Sequence, residues 1–333
     1  MNTVERFLHA LTFHPADRLP EIEWAHWWHL TLERWYKEGL PKKLELPGEI
    51  RDYFGQDSQE QIHIDPYKSG IPTPAYHGSG ILKTKADYDR LKPFLYPKEN
   101  FIRQGVERVQ QWAKQQEAGE TVIWFSLKGF FGWPRQLMGI ERHLFAFYDQ
   151  PELMHEINQD LCNFNIRAIE QLCKITRPVF MTFLEDLSYN HGPMLSERSF
   201  NTFLAPYYRQ LIPVLEKYNI IPIIDSDGDI TRLIPWFQKV GIRGILPLER
   251  MAGVDVNFLR DEYPDFILIG GFDKMVMKHG EAAMRKEFER LLPAMKKGGF
   301  IPSVDHQTPP DVTLENYYIY LKLLHEYCVK AAQ

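Results

Sequence analysis

The sequence predicts an α/β fold, a single (β/α)8 barrel of the TIM type with an N-terminal elaboration of helices and a hairpin. Short apolar runs, each about the length of one buried strand, recur along the C-terminal half, and each run ends in an acidic residue. These acids follow one another at intervals of 24 to 39 residues, enough for one strand, one helix and their loops. They are Asp186, Asp225, Glu249, Asp273 and Asp305. Because enzyme sites in parallel barrels lie at the carboxyl ends of the strands, we expect all five acids at one polar mouth.

The clearest repeat unit lies between residues 220 and 249. It opens with an apolar run rich in isoleucine, which is typical of a strand buried on both faces. Asp225-Ser226-Asp227-Gly228 follows, then a predicted helix over residues 229–240 and a second short strand over 244–248 that ends in Glu249. This order predicts carboxylates at the ends of two neighbouring parallel strands.

The other elements complete the barrel in chain order. A first helix is predicted over residues 3–11, a lid over the proline- and glycine-rich stretch 66–80, and a helix kinked or broken by its prolines over 196–218. The predicted strands cover approximately residues 21–24, 62–65, 121–127, 178–184, 220–224, 244–248, 266–272 and 299–304. No internal boundary is visible, so residues 1–333 are expected to form one domain, in which 1–120 include the elaboration and the lid.

Composition excludes several classes of function. The chain has 333 residues, 44% of them hydrophobic and 25% charged, and a net charge of −5, with no basic block that would indicate a nucleic-acid partner. Glu5 and Arg6 precede any apolar run, so we expect neither a signal peptide nor a membrane span, and hence a cytoplasmic protein. The three cysteines, Cys162, Cys173 and Cys328, have no metal-ligand spacing and are expected to be free thiols.

Asp225-x-Asp227 is the most specific chemical feature of the sequence. The two carboxylates could bind a divalent ion, take a proton or hold a cationic group of a substrate. Carboxylates that converge on one mouth repel each other, so a metal, a lysine or a raised pKa must relieve the repulsion. Lys128 and Lys274 are the candidate counter-charges, and His306 is a candidate ligand. The alternative is that Asp227 or Asp229 caps the next helix.

Two aromatic blocks, residues 24–35 and 130–133, are expected beside the mouth. Their flat apolar side chains could stack against a large planar ligand or a partner surface. The alternative is plain core packing, which we prefer for Trp24 and Trp35. The sequence contains no G-x-S-x-G, P-loop, H-E-x-x-H or G-x-G-x-x-G motif, so acyl-enzyme, phosphate-loop and dinucleotide chemistry lack support.

Four segments together resemble the uroporphyrinogen decarboxylase superfamily over nearly the whole chain. They are RFLHALTFHPADRLP, GPMLSERSFNTFLAPYYRQLI, DSDGDITRLIPWFQKVGIRGILPLE and GGFIPSVDHQTPPDVTLENYYIYLKLL. The resemblance implies a (β/α)8 barrel. It also implies one of two activities: decarboxylation of a tetrapyrrole, or cobamide-dependent transfer of a methyl group between a corrinoid protein and a thiol or folate.

The chain departs from both branches of the superfamily. The segment EIEWAHWWHLTLERW replaces the arginine-containing motif with which the decarboxylase grips substrate carboxylates. The thiol-directed methyltransferases carry a His-x-Cys zinc motif with a distant second Cys. Asp225-x-Asp227 stands at the position of that motif, and residues 304–306 lie near the position of the distant Cys. The resemblance therefore implies either a metal site with harder ligands, for zinc first and otherwise manganese or iron, or a metal-free pocket.

The resulting functional expectation is methyl transfer involving a corrinoid protein or folate, at an acidic barrel mouth. The alternatives are a decarboxylase acting on a tetrapyrrole or another carboxylate-rich substrate, and a non-catalytic protein that binds a corrinoid or tetrapyrrole. The oligomeric state stays open, with a homodimer as one possibility. The expected catalytic residues are Asp225, Asp227, Glu249 and His306; the expected metal ligands are Asp225, Asp227, Asp305 and His306; and the expected substrate contacts are Glu185, Asp186, Asp273, Lys274, Lys128 and Trp133.

Overall fold

Seven parallel strands form one curled sheet in the computed structural model, which describes residues 1–76 and 78–332. The strands follow one another around the sheet in chain order, interrupted only by a short antiparallel hairpin, β4–β5, after β3. Their bounds are β1 Gln59–His63, β2 Val122–Lys128, β3 Phe180–Leu184, β4 Ser188–Tyr189, β5 Gly192–Pro193, β6 Ile221–Asp225, β7 Gly244–Leu246, β8 Ile267–Phe272 and β9 Phe300–Val304. Because every barrel strand runs in the same direction, all their carboxyl ends lie at one mouth, as the sequence predicts.

Residues 21–24 take the eighth position of the barrel without forming a strand ladder, which corrects the prediction of a strand there. On one side the Asp57 N–H donates to the Glu21 carbonyl at 2.9 Å, next to β1. On the other side the Trp24 N–H donates to Ser303 Oγ of β9 at 3.3 Å. Residues 21–24, which we call the closing segment, therefore bridge β9 and β1 largely through side chains. A regular strand would instead form backbone-to-backbone hydrogen bonds with both neighbours.

Helices separate the strands and cover the outside of the sheet. The predicted break in the helix over 196–218 is confirmed at Leu204, and Pro206 lies in the first turn of the helix that follows. The helix predicted over 229–240 is shorter than expected, since residues 231–233 form a turn and the helix extends only from Ile234 to Gln238. The helices are α1 Thr3–Leu11, α2 His29–Glu38, α3 Pro47–Tyr53, α4 Lys85–Leu91, α5 Val106–Glu117, α6 Gly132–Met138, α7 Ile140–Asp149, α8 Pro151–Leu172, α9 Glu197–Phe203, α10 Ala205–Lys217, α11 Ile234–Gln238, α12 Val256–Glu262, α13 Glu281–Lys296 and α14 Leu314–Ala331.

Helix α1 closes the barrel at the end opposite the mouth. Its first turn is held by a capping box, in which Glu5 N–H donates to Asn2 Oδ1 at 2.9 Å and Asn2 N–H donates to Glu5 Oε2 at 3.0 Å. Its apolar face, Phe7, Ala10 and Leu11, packs on side chains from the amino-terminal parts of the strands. The amphipathic pattern of the first residues thus makes a plug for the bottom of the barrel.

The predicted lid is an irregular segment rather than a hairpin. Its ends are pinned by isolated bridges between Tyr67 and Leu95 and between Ser79 and Gly139. A Cβ at Gly80 would lie 2.0 Å from the Met138 carbonyl carbon, so only glycine allows this approach to the junction of α6 and α7. Within the described ranges, no helix combines the length and apolarity that a membrane crossing requires. The three cysteines are free thiols, as predicted.

Candidate active site

Asp227, Glu249 and His306 form a compact cluster at the barrel mouth. They follow β6, β7 and β9, and one potential ligand atom of each lies within 4.8 Å of the others. His306 Nε2 is 3.8 Å from Asp227 Oδ2. The cluster offers two carboxylate oxygens and one imidazole nitrogen, a donor set that a divalent ion such as zinc can use.

Backbone geometry around Gly228 brings two members of the cluster together. The Gly228 N–H donates to Glu249 Oε2 at 2.9 Å, so the turn after β6 orients the carboxylate that follows β7. Gly228 has φ +83°, and a Cβ there would lie 2.7 Å from the Tyr189 Cα in the β4–β5 hairpin. Glycine is therefore required at this position.

Asp227 does not cap a helix. Its side chain accepts no backbone hydrogen bond from the described residues, whereas Asp229 Oδ1 accepts one from the Thr231 N–H at 3.0 Å. The sequence left open whether Asp227 or Asp229 binds the backbone of the following residues. In the structure it is Asp229 that does so. Asp227 is left free to face the mouth.

The mouth carries more negative charge than its cations offset. Burial, together with Asp186 and Glu249, raises the pKa of Asp227 to about 6, while His306 and Lys274 oppose the change. Burial, with Asp186 and Asp227 nearby, raises the pKa of Asp225 well above its usual range. Burial and the neighbouring carboxylates thus both favour the protonated form of Asp225, whereas Asp227 is mostly ionised at neutral pH.

Lys274 is the cation nearest to the cluster. Its Nζ lies 3.6 Å from Glu249 Oε1 and 3.3 Å from Asp305 Oδ1. The sequence predicted this lysine as a counter-charge, and the structure places it beside two carboxylates. A metal at the cluster would share Glu249 with this ammonium group.

The Asp305 and Asp273 side chains accept hydrogen bonds from backbone N–H groups and do not belong to the cluster. The sequence predicts Asp305 as a metal ligand and Asp273 as a substrate contact. The Asp305 side chain is fully buried and accepts from the Arg250 N–H at 2.8 Å and the Lys274 N–H at 3.1 Å. Burial raises the pKa of Asp305, and Lys274 opposes this. Asp273 Oδ1 accepts from the Met275 N–H at 2.9 Å and caps a short 3-10 helix. Asp305 ties together the turns after β7 and β8, so it supports the mouth without joining the ligand cluster.

Glu185 is also enclosed by the fold. Its carboxylate accepts from the N–H groups of Phe130, Phe131 and Gly132, at 2.7 to 2.8 Å, and from the Tyr208 hydroxyl. Burial raises its pKa, and these hydrogen bonds oppose the change. The carboxylate therefore shapes the turn between β2 and α6 and has no face toward a substrate.

A cavity of about 830 Å³ adjoins the cluster beneath the lid. Lys128, Arg135, Asp186 and Asp227 line it, together with Tyr76 and Ser79 from the lid side. Burial lowers the pKa of Lys128, which forms no ion pair with any described residue. The cavity thus presents an unpaired ammonium on one wall and the Asp227 carboxylate on another.

Sequence reasoning missed Arg135. Its guanidinium donates to the Asp186 carbonyl at 2.9 Å and to Asp186 Oδ2 at 2.7 Å. Asp186 has φ +45°, an unusual conformation for a residue other than glycine, and the arginine holds it in this conformation. Arg135 lies on α6 rather than at a strand end, so the strand pattern that found the acids gave no signal for it.

The aromatic blocks are mostly core, which corrects the expectation that Trp133 faces a ligand. Trp133 is 1% exposed, stacks on Tyr67 with ring centroids 6.0 Å apart, and donates to the Tyr96 hydroxyl. Trp35 is buried, as preferred from the sequence. Trp28 is 40% exposed, and Trp24 is half-buried with its ring 6.2 Å from the His306 ring.

Comparison with known proteins agrees with the sequence resemblance. A methyltransferase from Methanosarcina mazei superposes on the chain with a TM-score of 0.62 and 13% identity, covering 98% of this chain and 99% of that one. A putative vitamin-B12-independent methionine synthase from Listeria monocytogenes gives a TM-score of 0.45 at 12% identity, covering 96% and 97%. No curated protein matches the chain. Residues 71–327 match the family model for uroporphyrinogen decarboxylase (URO-D), so the chain belongs to this family of enzymes.

Proposed function

We propose that this enzyme is a methyltransferase. One partner in the methyl transfer is a small molecule bound in the 830 Å³ cavity, and the other is either a corrinoid carried by a partner protein or folate. The observation that carries the proposal is the cluster of Asp227, Glu249 and His306 at the cavity edge. Two of its members, Asp227 and His306, belong to the segments to which the resemblance assigns the metal site of the methyltransferase branch. The donors of the cluster are oxygen and nitrogen instead of sulfur.

The cluster suits a divalent metal ion. Zinc accepts imidazole nitrogen and carboxylate oxygen, and manganese and iron accept the same donors. Burial and, after it, the neighbouring carboxylates Asp186 and Glu249 raise the pKa of Asp227, and a bound cation would relieve the repulsion between these carboxylates. A metal held by Asp227, Glu249 and His306 would supply Lewis acidity, which lowers the pKa of a nucleophile bound beside it.

The surrounding residues would then bind and orient the substrate. The unpaired Lys128 ammonium would hold an anionic group of the substrate. Asp225, whose pKa is raised by burial and by the nearby Asp186 and Asp227, would donate or accept a proton at the reacting group. Lys274 would balance the charge of Glu249 when no metal is bound.

Decarboxylation is the second candidate, and one observation favours it. Lys128 and Arg135 line the same cavity and could together receive the carboxylates of a tetrapyrrole or another acidic substrate. Against it stands the loss of the N-terminal arginine motif. Consumption of uroporphyrinogen, with release of carbon dioxide, would support this candidate over methyl transfer.

The direct test is metal content and methyl transfer in variants of Asp227. We expect the protein purified without chelator to contain about one zinc per chain, and Asp227→Asn to lose it together with the demethylation of added methylcobalamin, read by absorbance. The melting temperature of metal-free Asp227→Asn should equal or exceed that of the metal-free parent, because one of several repelling carboxylates becomes neutral.

Asp229→Asn is the matched control, since Asn keeps the local hydrogen bond to Thr231 and the residue lies outside the cluster. It should keep both metal and turnover. Full metal content and full turnover in Asp227→Asn would rule out Asp227 as a metal ligand.

A further inference from the structure

Trp24 connects the closing segment to the turn that carries His306. Its indole Nε1–H donates to the Val304 carbonyl at 2.8 Å, two residues before the histidine. Its ring meets the His306 ring at an interplanar angle of 76°, with the centroids 6.2 Å apart. One side chain thus contacts both the backbone of the turn and the imidazole.

Hydrogen bonds from the described residues do not fix the orientation of the imidazole. His306 makes no hydrogen bond to residues 1–76 or 78–332, and its distance of 3.8 Å to Asp227 exceeds hydrogen-bond length. The direction of the His306 ring therefore depends on packing, and Trp24 is the aromatic side chain that packs against it.

The missing strand ladder makes the indole contact more important. Between the closing segment and β9, Ser303 Oγ accepts from the Trp24 N–H at 3.3 Å and donates to Glu23 Oε2 at 3.0 Å. These side-chain bonds and the indole bond to Val304 hold the segment against β9. Removal of the indole would thus free both the turn after β9 and the imidazole.

We propose that Trp24 is a positioning residue that holds His306 in the orientation its place in the metal cluster requires. The inference rests on the proposed function, because it takes His306 as a metal ligand. Partners that orient a ligating histidine typically change metal affinity 10- to 100-fold when removed. Trp24 would orient His306 in two ways, through its hydrogen bond to the backbone of the turn and through the packing of its ring on the imidazole.

The test measures the zinc affinity of the full chain by competition with a chelating dye. We expect Trp24→Leu, which removes both contacts, to weaken zinc binding about 10- to 100-fold, and Trp24→Phe, which keeps a ring but loses the N–H, to weaken it about 3- to 10-fold. In the His306→Ala background Trp24→Leu should have no further effect. Trp28→Phe, at a tryptophan that is 40% exposed, is the matched control and should bind zinc normally.

A second readout needs no metal. In spectra of the metal-free protein labelled with ¹³C at histidine, the His306 signal should shift and broaden in Trp24→Leu, since the neighbouring aromatic ring and the anchor of the turn are both gone. A loss of stability alone would not move this one histidine signal selectively. If Trp24→Leu fails to fold, Trp24→Phe decides by the same two measurements.

The outcomes separate the two claims. Normal zinc affinity and an unmoved His306 signal in the Trp24 variants, with zinc lost in His306→Ala, would overturn the role of Trp24 and leave the metal cluster intact. Normal zinc affinity in His306→Ala would overturn the cluster and the role of Trp24 together.

Discussion

Glu23 is a carboxyl group buried in the closing segment, one residue before Trp24. Its side chain accepts from Ser303 Oγ at 3.0 Å and from the Tyr317 hydroxyl at 3.4 Å. Burial raises its pKa to about 8, against the hydrogen bonds it accepts. At neutral pH the folded protein therefore holds a proton on Glu23 that the unfolded chain has released.

We expect the contribution of Glu23 to stability to fall as pH rises from about 4.5 to about 8, and Glu23→Gln to remove this contribution. In that range the unfolded state binds fewer protons at this residue than the folded state, so the free energy of unfolding of the parent should decrease relative to that of Glu23→Gln, by about 4 kcal/mol. Urea unfolding at pH 5, 6.5 and 8 measures the effect.

The control for Glu23 is Glu33→Gln, at an exposed glutamate of α2, which should keep the parental pH dependence. A Glu23→Gln protein with the same pH dependence as the parent would mean that the buried carboxyl group is already ionised in the folded state.

At the scale of residues, the sequence predicted which side chains gather at the mouth but not what each one does. Asp227, Glu249 and His306 follow strand ends and meet as that position implies. Glu185 and Asp305 follow strand ends as well, yet backbone N–H groups use their oxygens. The number of N–H groups that face a carboxylate depends on how turns fold in space, and no spacing in the sequence encodes it.

The turn between β2 and α6 shows how one carboxylate can shape an element. Three successive N–H groups, those of Phe130, Phe131 and Gly132, converge on Glu185, and the Tyr208 hydroxyl completes the set. A Cβ at Gly129 would lie 2.1 Å from Glu185 Cδ, so this glycine leaves room for the carboxylate. This turn also fixes the start of α6, the helix on which Arg135 lies at the wall of the cavity.

Glu185→Ala should destabilise the protein by at least about 3 kcal/mol, because several buried donors lose their acceptor at once. Glu185→Gln should cost less, since its amide oxygen still accepts, although its NH2 group faces donors. The free energy of unfolding in urea measures both variants. Glu170→Ala, at an exposed position of α8, should change stability by less than about 0.5 kcal/mol. A loss below about 1 kcal/mol in Glu185→Ala would contradict the role assigned to the carboxylate.

At the scale of elements, apolar runs predicted well where the barrel strands lie. The run before Asp225 became β6, and the run that ends near Asp305 became β9. The closing segment is the exception, since residues 21–24, Glu-Ile-Glu-Trp, form no strand and make most of their bonds to or through side chains. The lid could not be predicted in detail, because its course depends on a close approach of Gly80 to the α6–α7 junction.

On the scale of the whole molecule, the barrel has a structural end and a chemical end. Helix α1 fills the first, and the acidic cluster and the cavity occupy the second. Such a division allows changes in stability to be separated from changes in chemistry.

Phe7→Ala should therefore lower the free energy of unfolding by about 3 to 5 kcal/mol while zinc affinity, measured below the melting transition, stays unchanged. Phe7 is fully buried among strand side chains, and its loss leaves a cavity at the end of the barrel that α1 closes. Leu8→Ala is the control from the same helix, since Leu8 is 40% exposed and should cost much less. A large fall in zinc affinity in folded Phe7→Ala would show that the two ends are coupled.

The closing segment is a joint in the barrel at which side-chain hydrogen bonds replace the backbone ladder. Around most of the circumference, backbone ladders resist any spreading of the strands, but the joint between β9 and residues 21–24 is held by a few side-chain bonds. Small opening movements at this joint would displace β9 and His306 relative to Asp227, which stands on the continuous part of the sheet. The 3.8 Å between these two side chains would thus change if the joint opened, and with it the space that the metal ion of the proposed function would occupy.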